Sequence, residues 1–343
     1  MCRNLCIDIG STKIKYALFE NGRRTSGDSL PFPPPIRAEG YFYEVSASAV
    51  VAAVKAVIRS FPSAENVLFS VQMHGHVLSV RKDIYVSWRD KRSLDGGLYE
   101  KLKMIYGEAF SPESGTVSKP NLAVYSMLAD LAGGAEVSGE FYSLGSYIVS
   151  ELTGRNVSHA TDLCATGFFL ADGVPNEQLL SSLPFSLVLP RCMLRMGECG
   201  VFEGKRIFAP AGDQQCSVAA LGEEERAVLN VGTAAQICRI RKGFVRGRFE
   251  SRSFFGKRTL CTKTGLPGGA ELRSRPASAL KEEMINKYGE AFRDVGAQGE
   301  VVCTGGAFAF YGDMLFEVVR AAGLTPVYKD SDALDGLNLL FGR

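Results

Sequence analysis

The stretch NLCIDIGSTKIKYALFE, residues 4–20, sets two apolar, β-favouring runs about a small polar corner. Leu5 to Ile9 predicts a buried strand, Gly10 to Lys13 a turn, and Ile14 to Phe19 the returning strand. Gly10 lets the backbone approach a ligand, Ser11 and Thr12 offer hydroxyls, Lys13 adds positive charge, and exposed turn amides form a concavity suited to anions. Asp8 stands just before the turn. A carboxylate there can hold Mg²⁺ through water, since this ion keeps several waters and takes few protein ligands. Taken by itself, the turn fits a plain hairpin with a solvated lysine better than a phosphate cradle.

A second copy reverses that balance. Residues 227–239, AVLNVGTAAQICR, again run from an apolar strand through a Gly232-Thr233-small turn into a β-like return, with Asn230 where Asp8 stood. Two such turns predict two halves, each offering a phosphate-binding hairpin to a shared cleft. These residues resemble the actin-like sugar kinases and, within them, the FGGY carbohydrate kinases. The resemblance implies an α/β chain of two actin-like (ribonuclease H-like) domains around a central cleft. It implies ATP and Mg²⁺ as cofactors, with Asp8 at the metal and Gly10, Ser11, Thr12, Lys13, Gly232 and Thr233 on the nucleotide phosphates.

Length and composition agree with two domains. At 343 residues, 46% hydrophobic and 22% charged, the chain can bury one large or two ordinary cores, and two domains is the natural expectation. Its net charge of only +2, without a dense basic run or zinc-ligand spacing, gives no footprint for nucleic acid or a membrane. The nine cysteines are odd in number and include no C-x-x-C pair; Cys6, Cys238 and Cys303 lie inside apolar runs, as reduced buried thiols do. With neither a signal-peptide core nor a membrane-length apolar run, the expected location is the cytoplasm.

Along the chain, Asn21-Gly22 predicts a hairpin turn into a third strand near Arg24 to Leu30. Pro31 to Pro35 reads as a rigid surface loop. Val50, Val51, Val54, Val57 and Ile58 mark one face of a helix after a Ser46 N-cap, and Asn66 to Gln72 returns to strand. The segment SVQMHGHVL, residues 70–78, ends that strand with Gln72, Met73 and His74, and strand ends in such sheets face ligand crevices. A lone His is more often a satisfied turn residue, but Q-M-H-G resembles the sugar-side motif of xylulokinase-type members, which implies that all three line a sugar site. Trp88 and Asp90, in YVSWRDKR, resemble the family's W-x-D pattern, with Asp90 a second-tier acceptor for sugar hydroxyls. Helices are expected near Leu94 to Tyr106, Leu122 to Leu131 and Tyr142 to Leu152. Asp162 and Thr166 fit turn caps better than a sugar pocket.

In APAGDQQCSVAALG, residues 209–222, Asp213 and Gln214 emerge before a helix read from Cys216 to Leu221. A helix N-terminus favours the ionised carboxylate, which can accept a proton from a sugar hydroxyl. As an isolated residue Asp213 reads as a cap. The resemblance to the FGGY G-D-x-x motif implies instead that it is the base, with Gln214 at the substrate.

The cluster Glu223 to Arg226 reads as a link, dividing a sugar-binding domain (1–222) carrying the catalytic Asp from a nucleotide-binding domain (223–343). Residues 252–270, RSFFGKRTLCTKTGLPGGA, resemble sedoheptulokinases, as do G-D-Q-Q-C-S-V and N-V-G-T-A-A-Q. A helix is expected over Pro276 to Phe292, a strand over Glu300 to Cys303, and a helix from Phe308. Between the last two, Gly305 and Gly306 allow close approach of a nucleotide. Phe308, Ala309 and Phe310 replace the family's more polar run, and the second domain reads as shortened between Ala270 and Glu300. The expected activity is an ATP-dependent kinase for a small-molecule ketose or related sugar, sedoheptulose first, with Asp213 as base. The alternatives are a catalytically degenerate sugar sensor or interaction module, and an actin-like filament subunit. Oligomeric state stays open, a homodimer included.

Overall fold

Each of the two hairpins lies inside a mixed sheet in the computed structural model, which describes residues 2–110, 115–222, 226–330 and 332–342. In the first half, Arg3–Ile9 pairs antiparallel with Lys13–Glu20, which pairs antiparallel with Arg23–Pro31. On its other side Arg3–Ile9 pairs parallel with Asn66–Val71, followed outward by Lys205–Phe208 and Glu198–Phe202. The second half repeats the plan. Ala227–Val231 pairs antiparallel with Ala235–Lys242, then come Arg258–Leu266 and Glu250–Phe254, while Glu300–Thr304 and Thr325–Tyr328 extend the sheet in parallel on the other side.

The strands form where the apolar runs predicted them. Leu5, Ile7, Ile9 and Ile14 are fully buried and pack with Val50, Val54 and Ile58 of the helix Ala47–Ser60. The Ser46 side chain caps that helix by accepting from Ala49 N at 3.2 Å. In the second half the helix Ala277–Val295 buries Leu280, Met284, Tyr288 and Phe292 against Leu229, Ile237 and Val301. The first half holds a further core around Phe141, Phe168 and Tyr125, next to a third sheet that includes His76–Leu78 and Gly139–Ser143. All nine cysteines are free. No helix among the described residues is long and apolar enough to cross a membrane.

Three expectations change. Part of the proline run is strand, because Pro35–Arg37 pairs with Glu44–Ser46 at a sheet edge, where a missing N–H is tolerated. Tyr142 lies in the strand Gly139–Ser143, and the helix starts only at Leu144, where Ser143 caps it. The helix expected from Cys216 begins at Asp213, with Gly212 as N-cap. Within the predicted link, Glu223, Glu224 and Glu225 lie outside the described residues.

The last helix, Ala333–Phe341, packs on the helix Asp213–Leu221 and on the strand Arg3–Ile9 of the first half. Ala333, Leu334 and Leu337 share one buried cluster with Cys6, Cys216, Val228 and Cys238, which joins the two halves. Gly336 permits the crossing. A Cβ at this position would overlap the carbonyl oxygen of Cys216. Asn338 adds polar contacts to the first half, accepting from Asn4 Nδ2 at 3.2 Å and donating to the Gly22 carbonyl at 3.2 Å.

Candidate active site

Strand register brings the site together. Ile9 and Val71 are partners, as are Val71 and Gly212, so three parallel strands end side by side and release Gly10, Gln72 and Asp213 at one edge. In the second half the strands ending at Val231 and Thr304 release Gly232 and Gly305 in the same way. Ligand crevices in α/β sheets lie beyond such carboxyl ends. Here they border a cleft of about 670 Å³ between the halves.

From the first half, Asp8, Ser11, Gln72, Met73, His74, Asp213 and Gln214 line this cleft, and Gly305 and Gly306 line it from the second. Gly10, Thr12, Lys13, Gly232 and Thr233 occupy the bordering turns without being part of its wall. The Gly10 amide donates to Lys13 O at 3.1 Å, and the carbonyls of Gly232 and Thr233 accept from the amides of Gly269 and Ala270 at 2.8 and 2.9 Å. The lysine on the wall is Lys15. Hairpin register sets it opposite Asp8, with Nζ 3.7 Å from Oδ2. Counting outward from the Gly-Ser-Thr-Lys turn along both strands would have found it.

Asp8 is buried and accepts from Ser70 Oγ at 2.7 Å. Burial pushes its carboxyl upward, against the Ser70 hydrogen bond and the Lys15 charge. Asp213 accepts from the Gln214 amide at 2.7 Å. Burial first, and then the negative Asp8, push it up to about 7. A carboxylate poised near neutrality has the proton affinity a general base needs.

No cluster of three potential ligands stands ready for a metal among the described residues. The donor set nevertheless fits Mg²⁺, which takes one or two carboxylates with water and phosphate oxygens. Asp8 and Asp213 repel each other on the same wall of the cleft, and a cation relieves that repulsion.

His74 adopts a left-handed backbone, φ 72°, a strained conformation that recurs at ligand sites. Its Nδ1 lies 2.6 Å from the Ala165 carbonyl and so carries the proton, leaving Nε2 as an acceptor. Burial, then the charges of Arg252 and Lys119, push the ring down to about 3, so it is neutral at physiological pH. Gln72 donates to Gly10 O at 3.3 Å, while its buried Oε1 has no partner among the described residues. Trp88, 38% exposed, lines the same cleft.

The expectation for Asp90 is corrected. It is 1% exposed, does not line the cleft, and both its carboxylate oxygens are engaged by Arg92, with Tyr43 N donating to Oδ2 at 2.7 Å. Arg92 also pairs with Glu44 and Asp130, so W-x-D-x-R is a buried ion cluster behind Trp88. Asp162 is likewise internal, accepting from Ser143 at 2.5 Å and Ser158 at 2.7 Å, and Thr166 donates to Leu163 O.

Residues to which the sequence assigned no site role complete the wall. Asn230 and Gln236 face each other across the second hairpin, as Asp8 and Lys15 do across the first. Asn230 is also partnered with Thr304, as Asp8 is with Ser70. Gly305, φ 106°, fits there because a Cβ would come within 2.5 Å of Asn230 Oδ1 and Val231 O. Arg252, Thr264, Asp330 and Asp332 join from the second half.

This is the fold of the two-domain actin-like sugar kinases: two α/β domains about a central cleft. No protein-family model and no curated protein matches the sequence. Among solved structures, the chain is similar to a ligand-bound xylulose kinase from Lactobacillus acidophilus, with a TM-score of 0.81, 15% identity, and 99% of this chain and 89% of that one covered. A xylulose kinase from Bifidobacterium adolescentis gives 0.81 at 12% identity, over 100% and 93%. A Plasmodium falciparum glycerol kinase with ADP gives 0.80 at 11% identity, over 99% and 89%.

Proposed function

We propose that this chain is an ATP-dependent kinase that phosphorylates a hydroxyl of a ketose or related polyol, with Asp213 as general base. The observation that carries the reading is the convergence of Asp213, poised near neutrality, with Gln72, Met73 and His74 at one set of strand ends, opposite Gly305 and Gly306. The names of its structural neighbours, xylulose and glycerol kinases, one of them with ADP, support the same class. The resemblance of residues 252–270 to sedoheptulokinases makes sedoheptulose the first acceptor to try.

In this reading residues 1–222 bind the sugar and 223–343 form a compact nucleotide-binding domain. Neutral His74 accepts from one acceptor hydroxyl through Nε2, and Gln72 accepts from another through Oε1. Asp213 takes the proton of the reacting hydroxyl as its oxygen attacks the γ-phosphorus of ATP; a new P–O bond forms, the bond to the bridging oxygen breaks, and ADP leaves. Ser11 and the two glycine-bearing turns would border the phosphates, and Asp8 would hold Mg²⁺, which would shield phosphate charge. Phosphoryl transfer asks mainly for alignment and charge stabilisation, so this set suffices without a covalent enzyme intermediate.

The test is ADP release with ATP and Mg²⁺ over a panel of ketoses, heptuloses, polyols and a no-sugar control. Release that depends on one acceptor is expected. Release independent of all acceptors contradicts the reading.

A further inference from the structure

We propose that Arg252, carried by the second half, completes the acceptor subsite of the first by donating to two neighbouring oxygens of the acceptor, as a vicinal diol or a carboxylate presents them. The proposal rests on the reading of the His74 end of the cleft as the acceptor site.

Arg252 belongs to Glu250–Phe254, the edge strand of the second sheet, yet its guanidinium reaches the first half, where Nη1 donates to Gln214 Oε1. Nε and Nη2 donate to Glu250 Oε2 at 3.1 and 2.7 Å. Glu250 in turn pairs with Lys119 of the first half and accepts from Thr264 Oγ1 at 2.9 Å. The chain of contacts Lys119, Glu250, Arg252, Gln214 therefore leaves the first half, passes through two residues of the second, and returns beside Asp213.

This arrangement fixes the guanidinium without exhausting it. Of its five N–H groups, three make these bonds and two remain, one on each terminal nitrogen, and the planar guanidinium suits paired oxygens. The side chain is only 12% exposed and lines the cleft with His74 and Trp88. Donors so far removed from water favour a ligand that accepts from them. Although burial disfavours its charge, Glu250 is held well below the usual carboxylate range by Arg252 and Lys119, so two cations surround one carboxylate. The excess positive charge faces a neutral His74.

Binding of D-xylulose and sedoheptulose (vicinal diols) and D-gluconate (a carboxylate) to the full chain, measured calorimetrically without nucleotide, tests this. Arg252→Gln should weaken whichever ligand the wild type binds by about tenfold or more, with ATP affinity within about twofold of wild type. Arg252→Lys should restore little of the loss, because an ammonium lacks the fork. A loss confined to gluconate assigns the carboxylate; a loss on the ketoses assigns the diol. Lys119→Met, which leaves the guanidinium in place, should weaken the same ligand by a smaller factor, and this arm serves if Arg252→Gln does not fold. Unchanged acceptor affinity in the folded variants, an equal loss of ATP affinity, or no binding of any of the three by wild type overturns the proposal. Acceptors that bind through Arg252 but are never phosphorylated would instead sink the kinase reading and leave this one standing.

Discussion

Asp213 is destabilising and useful for the same reason. Burial and the neighbouring Asp8 push its carboxyl up to about 7, so the native fold binds this proton more tightly than the unfolded chain does. The stabilising protonated form is fully present at low pH and is lost as pH rises from the ordinary carboxylate range through about 7. Asp213→Asn, uncharged throughout, should therefore melt higher than wild type at pH 8, on the order of 2 kcal/mol or a few degrees, and the difference should shrink toward pH 4. Thermal melts across that range check it. In the proposed mechanism catalysis runs the opposite way: the base must be ionised, so kcat/KM should rise with pH through about 7 in wild type. His74→Ala should raise the acceptor KM about tenfold while nucleotide affinity stays put, which steady-state kinetics with each substrate varied would separate. Asp8→Ala should weaken Mg²⁺-dependent ATP binding, and titration of ATP with and without Mg²⁺ reads it directly. At this scale the motifs were legible where side chains leave strand ends, as for Gln72 to His74 and Asp213, which line one cleft. Asp90 misled because its partner, Arg92, lies only two residues on and consumes both oxygens. Arg252 left no local trace, since its direction depends on how one half meets the other.

The elements that matter most for Asp213 are the helix it begins and the terminal helix across it. Gly336 lets Ala333–Phe341 sit against the backbone at Cys216, three residues beyond Asp213. Gly336→Ala should cost about 1–3 kcal/mol by overpacking and lower turnover through displacement of the Asp213 helix. A melt beside a kinetic assay checks both, and an unaltered melting temperature would show that the two helices do not meet this closely. Period and capping made most elements legible: Ser46 announced its helix, and the valine spacing its buried face. Pro35–Arg37 was hidden because an edge strand tolerates proline. The docking of the last helix was hidden because a sequence does not state which surface an apolar stripe covers.

At the scale of the molecule, two sheets of matching plan pair Asp8 with Ser70 and Asn230 with Thr304 at equivalent positions, and Asp8, Asn230 and Thr304 line one cleft. That duplication was visible in the two Gly-turn hairpins, whereas the Lys119–Glu250 ion pair and the apolar core that join the halves exist only in three dimensions. The central claim is that the cleft transfers phosphate with Asp213 as base. Sugar-dependent ADP formation by wild type and Asp213→Asn, measured beside their melts, tests it most directly. Asn preserves shape and most hydrogen bonding but cannot take the proton, so turnover should fall by roughly a hundred- to ten-thousandfold with acceptor affinity little changed. Full activity in a folded Asp213→Asn protein would contradict the assignment, and a wild type that binds sugar without ever forming ADP would make the cleft a sensor.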